Sequence, residues 1–140
     1  MEKIIFEYKD ADDEYALESA WAVKTSDGYK LDNILFYTLG YALGDVVSVD
    51  ERNGELYVTG LIEESGHSTI RILFNNTDDV QPTRNKLKEM GCDSELSNIS
   101  ILISVDVPSD IDYKIIKKYL YQGEVDGVWN YEEACLAHEV

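Results

Sequence analysis

Basic residues are scarce in this chain. Among 140 residues, 12 are lysine or arginine and 28 are aspartate or glutamate, a formal net charge of −16. A surface that negative repels nucleic acid and anionic membranes, so neither is expected as a partner. Cysteine and proline are nearly missing, at two each. Cys92 and Cys135 are too few for a disulfide framework, and reduced thiols are the expectation. No apolar run approaches the ~18 residues of a membrane span, and no basic segment precedes an apolar one in the manner of a secretory signal. These absences lead to the expectation of a soluble, cytoplasmic protein. Phosphate-cradling glycine loops and basic aromatic patches are also missing, which leaves nucleotide chemistry without support.

What is present reads as a folded body. Hydrophobic residues make up 44% of the chain and ten tyrosines are among them, too much apolar surface for disorder. At 15.9 kDa the chain has the size of one domain with a core of its own. Residues 1–64 carry 15 acidic and 5 basic side chains, and residues 65–140 carry 13 and 7. Both halves are acidic, so charge marks no boundary. The expected organisation is a single compact α+β domain over 1–140, with lobes 1–64 and 65–140 as the subdivision.

The first lobe reads as β structure. Ile4, Phe6 and Tyr8 alternate with Lys3, Ile5 and Glu7, and Ala16 to Lys24 alternates with Trp21 and Val23 on one face. Asp27-Gly28 is a turn signal that predicts a return strand from Tyr29 to Phe36. Asn53-Gly54 joins Val46–Asp50 to Glu55–Glu63 as a second hairpin. Ser68 to Phe74 is the next strand, with Ile70, Ile72 and Phe74 on one face and Thr69, Arg71 and Leu73 on the other.

The period then changes. Val80 to Met90 is predicted as a helix with Pro82 in its first turn and Gly91 as its stop. A strand follows from Ile99 to Val107, ended by Pro108. Asp110 is expected to cap a helix to about Tyr121, closed by Gly123. Asn130 and Glu133 have capping-box spacing, which predicts a last helix from Tyr131 to about His138. The architecture is therefore an antiparallel β lobe, a small partly closed barrel or a meander, followed by a β-α-β-α-α lobe.

Several strings resemble a bacterial family catalogued as a domain of unknown function, family 4265. They are Glu18-Ser19-Ala20-Trp21-Ala22, Leu31-Asp32-Asn33-Ile34, Gly44-Asp45-Val46-Val47, Ser65-Gly66-His67-Ser68-Thr69-Ile70-Arg71, Gly91-Cys92, Val105-Asp106-Val107-Pro108 and Trp129-Asn130-Tyr131-Glu132-Glu133-Ala134-Cys135. Their order and spacing span residues 18 to 136. The resemblance implies a small cytosolic bacterial protein and no established activity. Its size and charge match those of immunity proteins that neutralise secreted toxins, an analogy of context.

Two clusters are candidate sites. Glu64, His67, Ser68 and Arg71 place a carboxylate, an imidazole, a hydroxyl and a guanidinium near one strand entry, a candidate cleft for a small molecule or a reaction. On an extended strand His67 and Ser68 point to opposite faces, which works against a catalytic triad. The second cluster is aromatic and acidic: Tyr121, Trp129 and Tyr131 ringed by Asp112, Glu124, Asp126 and Glu132. Buried aromatics with an acidic rim suit capture of a basic protein. Cys135 and His138 have half of a zinc spacing with no further ligands in register, so no metal and no cofactor is expected. Asp10, Asp12, Asp13 and Glu14 lack the glycine and terminal glutamate of a calcium loop. The functional expectation is a non-enzymatic, acidic protein-binding module, an immunity-type inhibitor that occludes a basic toxin such as a nuclease. The alternative is a small-molecule-binding protein or enzyme using the cleft near His67, Ser68 and Arg71.

Overall fold

A computed structural model describes residues 1–139. Its first 63 residues form a closed five-stranded barrel: β1 (Glu2–Lys9), β2 (Tyr15–Lys24), β3 (Tyr29–Leu31), β4 (Val46–Arg52) and β5 (Glu55–Glu63). Successive strands pair antiparallel, and β1 closes the ring by pairing parallel with β5 at Ile4–Leu56 and Ile5–Tyr57. Closure removes the exposed edges that a meander would leave. Ile4, Phe6, Ala20, Ala22, Leu31, Leu35 and Val47 fill the interior. The Asn53-Gly54 turn is as expected, both residues taking positive φ (53° and 83°) between strands that twist to match.

The second unit is β6 (Ser68–Phe74), α1 (Val80–Glu89), β7 (Asp93–Leu96), β8 (Leu102–Val107), α2 (Tyr113–Val125) and β9 (Trp129–Cys135). A short 3-10 turn, Thr77–Asp79, leads into α1. The sheet order is β7-β8-β6-β9, antiparallel throughout. With both helices contributing to the core on one face, this is the split β-α-β, ferredoxin-like arrangement. Ile70, Ile72, Phe74, Ile103, Val105 and Val107 pack there against Leu87, Ile116 and Leu120. The period-2 rule sends Thr69, Arg71, Ser104 and Asp106 to the opposite face, towards the barrel.

The expected β-α-β-α-α order is corrected to β-α-β-β-α-β. Residues 131–138 are not a helix: Trp129–Cys135 is a strand on the free edge of β6. Pairing with an open edge and the strand preference of Trp129 and Tyr131 outweigh the local cap signal. Glu133 instead accepts the Tyr113 hydroxyl at 2.6 Å. The strand expected from Ile99 starts only at Leu102, because Ser97 hydrogen-bonds Ile99 N and Leu102 O and turns β7 into β8. Asp112, not Asp110, caps α2, accepting from Lys114 N at 3.0 Å.

Gly123 does not close α2 but lies within it, under the Trp129 ring. The stop is Gly127 (φ 73°), with Gly127 N bonded to Glu124 O and Val128 N to Gly123 O, a Schellman motif. Gly91 (φ 91°) ends α1 in the same way, with Cys92 N on Leu87 O. The return strand expected to Phe36 stops at Leu31. From there the chain leaves the barrel and crosses to the second sheet.

Candidate functional site

The segment 32–45 is the seam between the two units, and side chains from both sides hold it. From inside β2, Glu18 accepts the amides of Phe36 (2.7 Å), Tyr37 (3.1 Å) and Thr38 (2.9 Å), and the Thr38 hydroxyl at 2.8 Å. From the second sheet, Ser104 donates to Leu35 O (2.6 Å), Arg71 to Thr38 O, and Thr69 to Tyr41 O (3.2 Å). Asn33 accepts from Trp21 N. Asp45 accepts from Ala42 N and Ser65 N, both at 2.9 Å, and Ser65 donates to Leu43 O at 2.7 Å. The segment's amides and carbonyls thus find partners that an irregular backbone cannot supply for itself.

At one end of the seam, His67 Nδ1 lies 2.8 Å and 3.1 Å from the two oxygens of Asp106. Burial raises the Asp106 carboxyl above the ordinary aspartate range, outweighing the hydrogen bond and charge of His67. His67 shares a cleft of about 380 Å³ with Glu63, Glu64 and Lys30. Ser68, as its strand position requires, points the other way. Its fully buried hydroxyl meets His138 Nδ1 and accepts from Ala137 N at 2.9 Å. His138 Nε2 donates to Pro108 O at 2.7 Å, and Ser68 anchors the C-terminal segment. Glu64 and His67 therefore share one cleft, while Ser68 lies outside it. No triad forms from these residues.

Arg71 lines a different cleft, of about 390 Å³, between Phe36–Tyr37 and the seam face of the sheet. Leu73, Leu102, Asn130, Tyr131 and Glu132 complete its wall. Arg71 is 8% exposed, and burial lowers its pKa against the opposing pull of Glu132 and Glu18. Its Nε finds no hydrogen-bond partner among the described residues.

The aromatic cluster expected at 121–131 is broken up. Trp129 is 4% exposed and packs on Phe74 and Tyr119, with its indole N–H on Leu120 O at 2.9 Å, so it is core. Tyr131 is half-buried, and Glu124 accepts its amide at 3.4 Å. Tyr121, Glu124 and Asp126 remain exposed at the end of α2, with Asp112 at its start and Glu132 on β9 facing Arg71. Cys92 and Cys135 are free thiols whose pKa values burial pushes up to about 12 and about 11. No group of three or more His, Cys, Asp or Glu among the described residues is placed to hold a metal. No described helix is long and apolar enough to cross a membrane.

A further apolar display lies on β2. Tyr15, Leu17, Trp21 and Val23 all point outward, Tyr15 and Trp21 with 75% and 52% of their surface exposed, while Glu18, Ala20 and Ala22 point in. The alternation was visible; its direction was not. Large side chains ordinarily take the inner face, but here Ile4, Phe6, Leu31 and Val47 already fill the ring and leave room on β2 for alanine rather than tryptophan. The Asp10–Glu14 loop sits at the Tyr15 end, folded by Asp10 Oδ1 accepting from Asp12 N and Glu14 N.

Fold and seam define a two-unit α+β protein, a β barrel and a split β-α-β sheet fastened through one polar segment. The family model of a domain of unknown function, DUF4265, matches residues 18–131, and the chain belongs to that family. Among solved structures it is similar to a hypothetical protein from Neisseria gonorrhoeae, described as a novel crystal structure. The two share 23% identity over 99% of this chain and 96% of that one, with a TM-score of 0.86, a likeness of fold. In the comparison with curated proteins nothing matches.

Proposed function

We propose that the chain is a non-enzymatic protein-binding module that captures a basic partner, in its concrete form an immunity-type inhibitor that occludes a bacterial toxin. The observation that carries this reading is the outward face of β2, where the exposed pairs Tyr15–Leu17 and Trp21–Val23 flank Ser19 and lead to the acidic Asp10–Glu14 loop. Large apolar residues exposed together on one strand face mark an interaction surface, and tyrosine and tryptophan are the residues that anchor one. Lys3 and Lys9 sit opposite Trp21 and Tyr15 on β1. Lys9 is taken up by Asp13 at 3.5 Å and by the Tyr15 ring, so attraction comes from the acidic loop and the net charge of −16. Charge then speeds encounter, and the β2 face supplies affinity. Occlusion of this kind needs no cofactor.

The test is capture of partners by the tagged protein from its source bacterium, followed by binding measurements on the purified pair. A stoichiometric basic protein is expected, with association slowing about tenfold between low and moderate salt. Trp21→Ala is expected to weaken the complex about tenfold or more. A captured protein whose binding ignores both salt and Trp21, or no stoichiometric partner at all, overturns the reading.

A further inference from the structure

Beyond capture of a protein partner, we propose that the seam cleft at Arg71 is a binding site for a small organic carboxylate with an apolar body. The cleft measures about 390 Å³, within the range of small-molecule pockets. Phe36, Tyr37, Leu73 and Leu102 give it apolar walls, and Arg71 is the one cation in its lining.

The guanidinium is poorly used by the protein itself. It has five N–H donors, and the hydrogen bond the structure gives it goes to Thr38 O. Nε has no partner among the described residues, and the Glu132 carboxylate stands off at 3.8 Å with 56% of its side chain exposed. Burying a cation with its donors unspent is costly, and an apolar residue of similar volume fills the same space more cheaply. A ligand carboxylate supplies an acceptor to the edge of the guanidinium that faces Glu132, in the planar geometry that arginine matches. Glu132 marks the place such a group takes and competes for it. A monoanion fits better than a phosphate, because Glu132 and Glu18 both face the guanidinium and a second negative charge has no second cation to meet.

The test is amide chemical-shift titration of the full chain with hydrocinnamate and hexanoate, each against its neutral amide. Both carboxylates are expected to move the amides of Phe36, Tyr37, Arg71, Leu73 and Glu132, with the neutral amides about tenfold weaker or more. Glu132→Gln, which removes the competing charge, is expected to tighten binding about two- to fivefold. Leu102→Trp, which fills the cleft from a half-buried position in its wall, is expected to abolish it. Absence of binding by both carboxylates overturns the proposal. So do equal affinities for acid and amide, shifts confined to other surfaces, unchanged affinity in Glu132→Gln, or full affinity in Leu102→Trp.

Discussion

Glu18 and Thr38 are 20 residues apart in the chain, and a single carboxylate oxygen of Glu18 accepts both the amide and the hydroxyl of Thr38, at 2.9 Å and 2.8 Å. The same carboxylate holds the amides of Phe36 and Tyr37. Arg71 grips the same stretch from the far side through Thr38 O. An acid pointing into a barrel would ordinarily destabilise it; here it replaces the strand partner that residues 36–38 lack.

Removing that carboxylate strands three amides and a hydroxyl in a place with little water. Glu18→Ala is therefore expected to cost about 3 kcal/mol or more in urea unfolding, and Glu18→Gln, which keeps one acceptor oxygen, less. Faster amide exchange at residues 36–38 is expected to accompany the loss. Stability within about 0.5 kcal/mol of the parent in Glu18→Ala contradicts this account of the seam.

Much of this framework was legible as polar residues in family-like strings, but not as a framework. Glu18, Asn33, Asp45, Ser65, His67, Ser68, Thr69, Arg71 and Asp106 all lie in strings that carry the resemblance. The structure gives each a fastening role at the seam or its flanks. Sequence places such residues on or beside strands; it does not show which distant backbone each one meets. The Glu64–Arg71 string was therefore read as one cleft, whereas strand alternation and the crossing segment divide it among two clefts and a buried anchor.

Local signals served where local forces decide. The Asn53-Gly54 hairpin, the Gly91 stop and the two faces of β6 follow from turn chemistry and period alone. They failed at β9, where an open sheet edge 55 residues earlier in the chain recruits a segment with a helix-cap pattern. At β2 they gave the alternation, with Trp21 and Val23 on one face, but which face turns outward is decided by the packing of all five strands together.

Gly123 is a second position at which sequence suggested one role and packing assigns another. A Cβ there would stand 2.0 Å from Trp129 Cζ2 and 2.1 Å from Cε2, far inside contact distance. Gly123→Ala gains about 1 kcal/mol of helix propensity yet is expected to destabilise by about 2 kcal/mol net, because a buried indole has nowhere to move. Thermal unfolding with the near-ultraviolet signal of Trp129 measures this. In the pair Gly123→Ala with Trp129→Leu the two losses are expected not to add, since the smaller side chain vacates the clash. Additive losses place the glycine's role elsewhere.

The His67–Asp106 pair yields a prediction with a definite sign. Asp106 has a raised pKa because burial outweighs its hydrogen bond to His67, with Asp93 adding to the rise and His138 opposing it. Below the ordinary aspartate value the carboxyl is protonated in both folded and unfolded chains, and its contribution to stability is fully present. As pH climbs through the raised value the folded protein must ionise a buried group, and that contribution is lost. Asp106→Asn has nothing to titrate there. Its stability relative to the parent is expected to improve between about pH 3 and about pH 5.5, a window below the ordinary histidine range, from a starting deficit set by the weakened His67 bond. Urea midpoints of both proteins across that window measure the gap. A gap that widens with rising pH means that His67 holds Asp106 below its ordinary value, and that pairing outweighs burial at this end of the seam.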